Sequence, residues 1–239
     1  MDALCEQTFK IAPMNIFRRI YIHIPEIGKL IRSFYFCFRY LPFNQAIKMP
    51  IFLAVPVKVC QLHRGGIMFN GPIQSRQIEF VEGIEGFPAD KTNVYIEKGS
   101  KIIFYGKAFI SRGSTLRIDE GGILKIGKDF VINKNTIIRC SDRITFHDDV
   151  MIGWNNEIND NDGHPIYING EKIKGTSPIT VGPHVWITSY VKVSKGAVIP
   201  EGCIVAKGAI VVKEHTSAHT LIGGVPAKDI KSGIDWSRN

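Results

Sequence analysis

The stretch VGPHVWITSYVKVSKGAVIPEGCIVAKGAIV, residues 181–211, decides the fold because an apolar residue recurs at every sixth position. The recurring residues are Val181, Ile187, Val193, Ile199, Val205 and Val211. Four positions after each of the first five stands a second small or β-branched residue: Val185, Val191, Ala197, Cys203 and Ala209. A helix has a period of 3.6 residues and an isolated strand alternates at two, so neither fits. The stretch predicts short strands joined by tight bends.

The same six-residue step extends upstream of this stretch. It passes through Ile126, Ile132, Ile138 and Ile144, then slips by two to Phe146, Ile152, Ile158 and His164, and is looser at Phe104, Ile110 and Leu116. Three such strands close a coil of about 18 residues, and stacked coils bury a continuous apolar column. The sequence therefore predicts an all-β fold, a parallel β-helix over residues 76–232. Cys203 is expected to be a core residue of that column, because free cysteine packs as a small hydrophobe.

Charge and cysteine content restrict the functional class. Lys and Arg exceed Asp and Glu by 30 − 22 = 8, and a basic surface attracts phosphates of nucleic acids, lipids or cofactors. We expect no nucleic-acid partner, because no RNA-binding signature or zinc-finger spacing accompanies the charge. The five cysteines are scattered without a C-x-x-C pair, and no secretory signal is apparent after the N-terminal MDALCEQTFK. These features predict a cytoplasmic protein.

Residues 1–75 differ in composition and are predicted to form a helical or irregular capping segment. Pro25, Pro42, Pro50 and Pro56 are expected to divide it into short helical pieces, and its uncharged runs are too short to span a bilayer. Two interpretations stay open. The favoured one is a cap over the open end of the β-helix. The other is an amphipathic, basic helix within residues 14–62 that lies on an anionic membrane, which would make the protein peripheral to it.

The polar stretch NDNDGHPIYINGEKIKGTSP, residues 159–178, interrupts the repeat. His164 stands where the six-residue step would place an apolar residue, and the repeat resumes near Ile179. Because the inward column of a β-helix is apolar, a reactive group must lie on the rim or on a loop that leaves the coil. We therefore predict an extruded active-site loop that carries His164.

Four motifs now support a resemblance to a known family. They are IGKDFVINKNTII (126–138), DGHPI (162–166), PITVGPHVWI (178–187) and GGVPAKDIK (223–231). In order and spacing, residues 93–232 resemble the hexapeptide-repeat acyltransferases, particularly the galactoside and maltose O-acetyltransferase type and the related O-acetyltransferases of surface polysaccharides. The resemblance implies a left-handed β-helix, a homotrimer with active sites between subunits, and acetyl-CoA as co-substrate. It leaves residues 233–239 as a C-terminal tail.

The resemblance also implies roles for individual residues. His164 would be the general base that takes the proton from an acceptor hydroxyl, and Asn133 would contact the acceptor. Further candidates on or near the same rim are Asn135, Asn155 and Asn156. The orienting partner of His164 stays open among three acids: Glu157, Asp160 and Asp162. The expected contacts to CoA are Trp186, Ser189, Lys207, Lys213 and Lys228. Thr188 departs from the glycine that is usual in the family after the tryptophan and isoleucine.

The sequence thus predicts an acetyl-CoA-dependent O-acetyltransferase that acts on a sugar of a bacterial surface polysaccharide or its precursor. N-acetylation of an amino sugar is an alternative, since the same base serves an amine. A zinc enzyme of the gamma-class carbonic anhydrase type is a further alternative. It would need His147, His164 and His184 to converge on one ion, and we expect no metal.

Overall fold

The computed structural model describes residues 16–83 and 89–238, in which two helices, α1 (Ile16–Tyr40) and α2 (Phe43–Ala46), precede 24 strands. The first sheet contains β1 (Ile51–Leu53), β4 (Ile78–Val81), β7 (Ala108–Ser111), β10 (Phe130–Ile132), β13 (Met151–Ile152), β18 (Trp186–Ile187), β21 (Ile204–Val205), β23 (Thr220–Gly224) and β24 (Ala227–Ser232). The second contains β2 (Val57–Gln61), β5 (Thr92–Ile96), β8 (Thr115–Ile118), β11 (Ile137–Cys140), β14 (Glu157–Asn159), β19 (Lys192–Ser194) and β22 (Ile210–Val211). The third contains β3 (Ile67–Phe69), β6 (Lys101–Phe104), β9 (Ile123–Ile126), β12 (Arg143–Phe146), β17 (Ile179–Val181) and β20 (Val198–Ile199).

The chain visits the three sheets in turn, so each circuit adds one strand to each sheet. Successive circuits pair in parallel, as Ile138 of β11 does with Ile158 of β14. Only β24 runs antiparallel to its neighbour in these three sheets, where it folds back on β23. The predicted parallel β-helix, with an N-terminal helical segment and an extruded loop, is confirmed.

The core is the apolar column that the repeat predicted. The residues spaced six apart from Val181 to Val211 are all buried, and Cys203 is fully buried among them. Burial raises the pKa of the Cys203 thiol, as expected for a core residue. The slip of two has a simple cause: Ile144 and Phe146 are both inward-facing residues of the four-residue strand β12. The two series are therefore the two inward positions of one strand.

The N-terminal helix differs from the sequence prediction. Instead of several short pieces, α1 runs for 25 residues and continues through Pro25. Proline removes one helical hydrogen bond, but packing of the helix can compensate for that loss. One face of α1 covers the first coil: Phe36 and Cys37 are buried there, and Ser33 Oγ accepts a hydrogen bond from the Leu53 N–H at 2.8 Å.

The boundary between cap and β-helix also differs from the prediction at residue 76. Parallel pairing begins at Ile51, which pairs with Ile78, so the helical cap is shorter than the sequence indicated. No helix in the described ranges is long and apolar enough to cross a membrane. Residues 1–15, including Cys5 and the N-terminal stretch considered for a signal, lie outside the described residues, as do the side chains of residues 16–24.

The extruded loop leaves the β-helix after β14 and returns at β17. Within it, β15 (Ile166–Ile168) and β16 (Glu171–Ile173) form an antiparallel hairpin, in which Ile166 pairs with Ile173. Ile179 then pairs with Ile144 of the preceding coil. The repeat resumes at the residue that the sequence predicted.

The C-terminal tail packs against the corner between the third and first sheets. The Trp236 ring stacks on the His184 ring with centroids 4.5 Å apart, and its indole N–H donates to the His184 carbonyl at 2.8 Å. His184 Nδ1 lies 2.5 Å from Asp149 Oδ2, and Arg238 bonds to the same carboxylate. The hydrogen bond with Asp149 is the main cause that raises the pKa of His184 above its ordinary value.

This cluster predicts a pH dependence of stability. A histidine whose pKa is raised on folding contributes stability that is complete below its unfolded pKa, about 6.5, and is lost as the pH rises through the folded value. We expect the free energy of unfolding of the parent protein to exceed that of His184→Gln most at about pH 5.5 to 6, and the difference to shrink by about pH 8 to 9. Urea unfolding at each pH measures it. A difference that stays constant or grows with pH would contradict this role of His184.

Candidate functional site

One corner of the β-helix, between the first and second sheets, carries a column of residues with left-handed backbone. Asn135, Asn155, Tyr190 and Gly208 have φ of 57°, 55°, 61° and 76°. Backbone hydrogen bonds join successive coils here, for example from the Tyr190 N–H to the Trp154 carbonyl at 3.1 Å. Glycine and asparagine tolerate this conformation, whereas an aromatic residue rarely adopts it. Such outliers are concentrated at functional sites, which directs attention to Tyr190.

A cavity of about 360 Å³ lies at this corner. Its walls are Ala89, Asp90, Lys134, Asn135, Trp154, Asn155 and Tyr190. Lys134 is almost completely buried and lies 3.5 Å from Glu82. The cavity thus combines two aromatic rings with amide, carboxylate and ammonium groups. This combination suits a ligand that presents hydroxyl groups and one less polar face.

Two residues predicted from the sequence, Asn133 and Ser189, lie directly behind this cavity. Asn133 Nδ2 donates to the Ile152 carbonyl at 3.3 Å, and the buried Ser189 Oγ accepts from the Trp154 N–H at 3.4 Å. Each stands one residue from a cavity wall residue in the chain. They therefore shape the corner whose outer side chains form the cavity.

Asn156, predicted as an acceptor contact, has a different environment from the one expected. It is 2% exposed; its Nδ2 donates to the Thr188 carbonyl at 2.8 Å, and its Oδ1 accepts from the Val191 N–H at 2.7 Å. Its amide thus joins two coils, and its neighbour Asn155 faces the cavity instead. The structure corrects the expected role of Asn156 to one of holding the corner.

Replacing Asn156 with alanine should accordingly destabilise the protein. The Thr188 carbonyl and the Val191 N–H would lose a buried partner, at a cost of about 2 to 4 kcal/mol in the free energy of unfolding. Asn70→Ala, at an exposed position, is the matched control and should cost less than about 0.5 kcal/mol. Urea unfolding measures both. Equal stabilities of the two variants would refute the structural role of Asn156.

His164 lies on the extruded loop and is exposed to solvent. Hydrogen bonds hold the start of this loop, where it leaves the β-helix. Asp160 is fully buried, and its two oxygens accept the Ser141 and Asp142 N–H groups at 2.7 and 2.9 Å. Burial raises the pKa of the Asp160 carboxyl, although these hydrogen bonds act in the opposite direction. Asn161 Oδ1 accepts the Gly163 N–H at 2.6 Å, which fixes the turn immediately before His164.

The three acids considered as orienting partners of His164 are engaged elsewhere in the described chain. Asp160 is bonded to backbone as above, Asp162 forms an ion pair with Lys195, and Glu157 lies 3.6 Å from Lys192. The geometry of a single chain therefore does not select any of them for this role.

The cavity and His164 lie at different corners of the β-helix. His164 follows β14 of the second sheet, and the described lining of the cavity does not include it. The hairpin beyond it exposes three apolar or aromatic side chains to solvent: Ile166, Tyr167 and Ile168. One chain therefore presents a cavity and a histidine that it does not bring together.

The predicted cofactor contacts are dispersed over the last coils. Lys207 lies over the Tyr190 ring, 5.4 Å from its centroid, next to Ser189 in the neighbouring coil. Trp186 faces Trp236, with ring centroids 6.1 Å apart. Lys213 and Lys228 are exposed, the first after β22 and the second in β24. Sequence reasoning missed Tyr190 and Trp154. For Tyr190, an aromatic residue at the position where other coils place asparagine or glycine was a usable signal.

The three histidines considered for zinc do not line up. His147 follows β12 of the third sheet, whereas His164 leaves with the loop, and His184 is bonded to Asp149. Within the described part of one chain, no group of three His, Cys, Asp or Glu residues could hold a metal ion.

Comparison with known proteins gave two relatives and several solved structures, and no family model matches the chain. Over 123 residues, the chain is 32% identical to the galactoside O-acetyltransferase of Escherichia coli (strain K12), covering 50% of this chain and 59% of that protein. Over 98 residues, it is 39% identical to the polysialic acid O-acetyltransferase of Neisseria meningitidis, covering 40% and 46%. The crystal structure of the polySia-specific acetyltransferase NeuO covers 80% of this chain and 79% of its own, with 22% identity and a TM-score of 0.49. The matches thus span about half the length of the curated relatives.

Proposed function

We propose, from the similarity of this chain to the hexapeptide-repeat O-acetyltransferases, that it transfers an acetyl group from acetyl-CoA to a sugar hydroxyl. The acceptor would be a bacterial surface polysaccharide or its precursor. The observation that carries the proposal is the loop of residues 159–178. It leaves the β-helix and presents His164 after a turn that is held by the hydrogen bond between Asn161 and Gly163. A regular coil has no structural need for this excursion.

His164 would act as the general base. Its imidazole would take the proton from the acceptor hydroxyl while the hydroxyl oxygen attacks the thioester carbonyl of acetyl-CoA. Collapse of the tetrahedral intermediate would break the carbon–sulfur bond, and the imidazolium would return the proton to the departing thiolate. An alcohol is a poor nucleophile at neutral pH, and imidazole is the side chain whose ordinary pKa suits this transfer.

The active site would form between subunits of a homotrimer. The cavity of one chain offers Trp154 and Tyr190 to the faces of a sugar, and Asn135 and Asn155 to its hydroxyls. It lacks the base, while the His164 loop of the same chain exposes apolar residues at its hairpin. Closed cyclic symmetry allows each subunit to complete the cavity of the next.

Acetyl-CoA would bind along the last coils beside this cavity. Ser189 would lie near the thioester, with a backbone N–H at the same bend available to the developing oxyanion. Trp186 would form a wall of the groove, and Lys207, Lys213 and Lys228 would contact the phosphates of CoA. We place the enzyme in the cytoplasm, with a peripheral membrane contact through residues 14–62.

Release of free CoA from acetyl-CoA, measured with a panel of neutral, acidic and amino sugars, tests this function. We expect release that depends on a hydroxyl acceptor and is unchanged by a metal chelator. Release with amino sugars alone would favour N-acetylation. Loss of activity on chelation, or no release with any sugar, would overturn the assignment.

A further inference from the structure

The helix α1 has two apolar faces, although a cap needs only one. Ser33, Phe36 and Cys37 are buried against the first coil. On the opposite side of the helix, five large apolar or aromatic side chains are each more than half exposed: Ile27, Leu30, Ile31, Phe34 and Tyr35. Their spacing of three and four residues makes one continuous stripe. Capping therefore accounts for one face and leaves the other without a role.

The exposed stripe continues from α1 onto α2. The Phe34 and Phe38 rings stack with centroids 4.3 Å apart, and Phe38 meets Phe43 edge-on at 6.0 Å. Phe43 is 72% exposed, and Ile47 beyond it is also exposed. We call this surface the outer face: Ile27, Leu30, Ile31, Phe34, Tyr35, Phe43 and Ile47. Exposed apolar surfaces of this extent usually mark an interaction site.

The charge of the chain is concentrated in the same segment. Residues 16–78 contain nine Lys and Arg residues and a single acid, Glu26, so their net charge is 9 − 1 = +8, which equals the formal net charge of the whole chain. Glu26 is itself 2.5 Å from Lys29. Arg39 and Lys48, close to the outer face in the chain, are exposed. The outer face therefore belongs to the cationic segment of the chain.

We propose that the outer face binds the surface of an anionic lipid membrane, with α1 lying in the plane of the interface. A bilayer offers acyl chains to the seven apolar side chains and phosphate groups to the surrounding cations. A polyanionic glycan or nucleic acid would satisfy only the cations. A second copy of this chain would bring the same positive charge to the contact and be repelled. This inference rests on the peripheral membrane contact proposed above and gives it a surface, but it does not depend on the proposed acetyl transfer.

Co-sedimentation of the full chain with lipid vesicles tests the proposal. We expect binding to vesicles of phosphatidylcholine with about one third phosphatidylglycerol, weak binding to phosphatidylcholine alone, and release at high salt. The double variant Leu30→Glu/Phe34→Glu should lower the partition coefficient at least about tenfold. Arg39→Gln/Lys48→Gln should lower it roughly tenfold on the anionic vesicles. Ile230→Glu, at an exposed apolar position on β24, is the matched control and should bind as the parent does.

Several results would overturn the proposal. These are no binding to the anionic vesicles, equal binding to both vesicle types, or binding that the Leu30→Glu/Phe34→Glu variant retains. If sedimentation velocity instead shows that the variant is dissociated where the parent is oligomeric, and the parent does not bind the vesicles, the outer face is a subunit interface. If circular dichroism shows that the Leu30→Glu/Phe34→Glu variant does not fold, vesicle binding by the Arg39→Gln/Lys48→Gln variant tests the proposal instead. CoA release with a soluble sugar, measured on the same variants, reports the enzymatic proposal separately.

Discussion

The variant His164→Ala is expected to lower kcat for acetyl transfer by about 10²- to 10⁴-fold, the usual contribution of a general base. KM for acetyl-CoA should change little, because the imidazole acts on the proton of the acceptor. The free energy of unfolding should stay within about 0.5 kcal/mol of the parent value, since His164 is exposed on the loop. Steady-state CoA release and urea unfolding together measure the effect.

His147→Ala is the matched control for this prediction. His147 is also exposed, but it lies at the corner after β12, away from the loop and the cavity. Its removal should leave kcat within about twofold, because the residue is outside the proposed machinery. A His164→Ala enzyme that retains kcat within a few-fold, or an equal loss in both variants, would contradict the assignment of His164 as the base.

The variant Phe146→Ala is expected to lower the free energy of unfolding by about 3 to 5 kcal/mol. Phe146 is 1% exposed, and its ring centroid lies 5.1 Å from that of Phe130 in the column. Removal of the ring leaves a cavity between stacked coils, which the paired strands on either side cannot easily close. Urea unfolding followed by circular dichroism measures the loss.

Phe109→Ala is the control, because it is the same substitution at a residue outside the apolar column. Phe109 lies on β7 but points outward and is 38% exposed. Its replacement should cost less than about 1 kcal/mol. If the outward and inward phenylalanines cost the same, the apolar column would not be the main source of stability. A cost below about 1 kcal/mol at Phe146 would lead to the same conclusion.

The apolar column could be predicted from the sequence because it depends on local spacing. Each strand has few residues, so its one or two inward positions must repeat at the period of the coil, as Ile138 and Ile158 do in paired strands. The loop was predictable for the same reason: a histidine in that period cannot remain in an apolar column. Hence the β-helix, the departure after β14 and the return at Ile179 were all correct.

The features that were not predicted depend on contacts distant in sequence. Pro25 suggests a helix break, but α1 continues because its face around Phe36 and Cys37 packs on strands that follow it in the chain. The first coil lacks the regular spacing, and β2 pairs with β5 through an irregularity between Val59 and Gln61. The β-helix was therefore expected to begin later than it does.

In the candidate site, too, the sequence alone could not assign the orientation of individual side chains. Asn155 and Asn156 are adjacent, and composition cannot tell which one faces outward. The left-handed backbone at Asn155 turns its side chain to the cavity and directs that of Asn156 inward to Thr188 and Val191. In the proposed trimer, His164 would meet the cavity of a neighbouring subunit, and a single chain's sequence does not show that contact.

The central claim, that this chain makes sugar O-acetyl esters with His164 as base, is tested most directly on the product. The acceptor that supports CoA release would be incubated with acetyl-CoA and either the parent enzyme or His164→Ala. The product would be analysed by mass spectrometry before and after treatment with mild alkali. We predict an acetylated sugar with the parent enzyme, loss of the acetyl group in alkali, and little product with the variant. An alkali-stable acetyl group, or acetylation that His164→Ala performs at the parent rate, would contradict the claim.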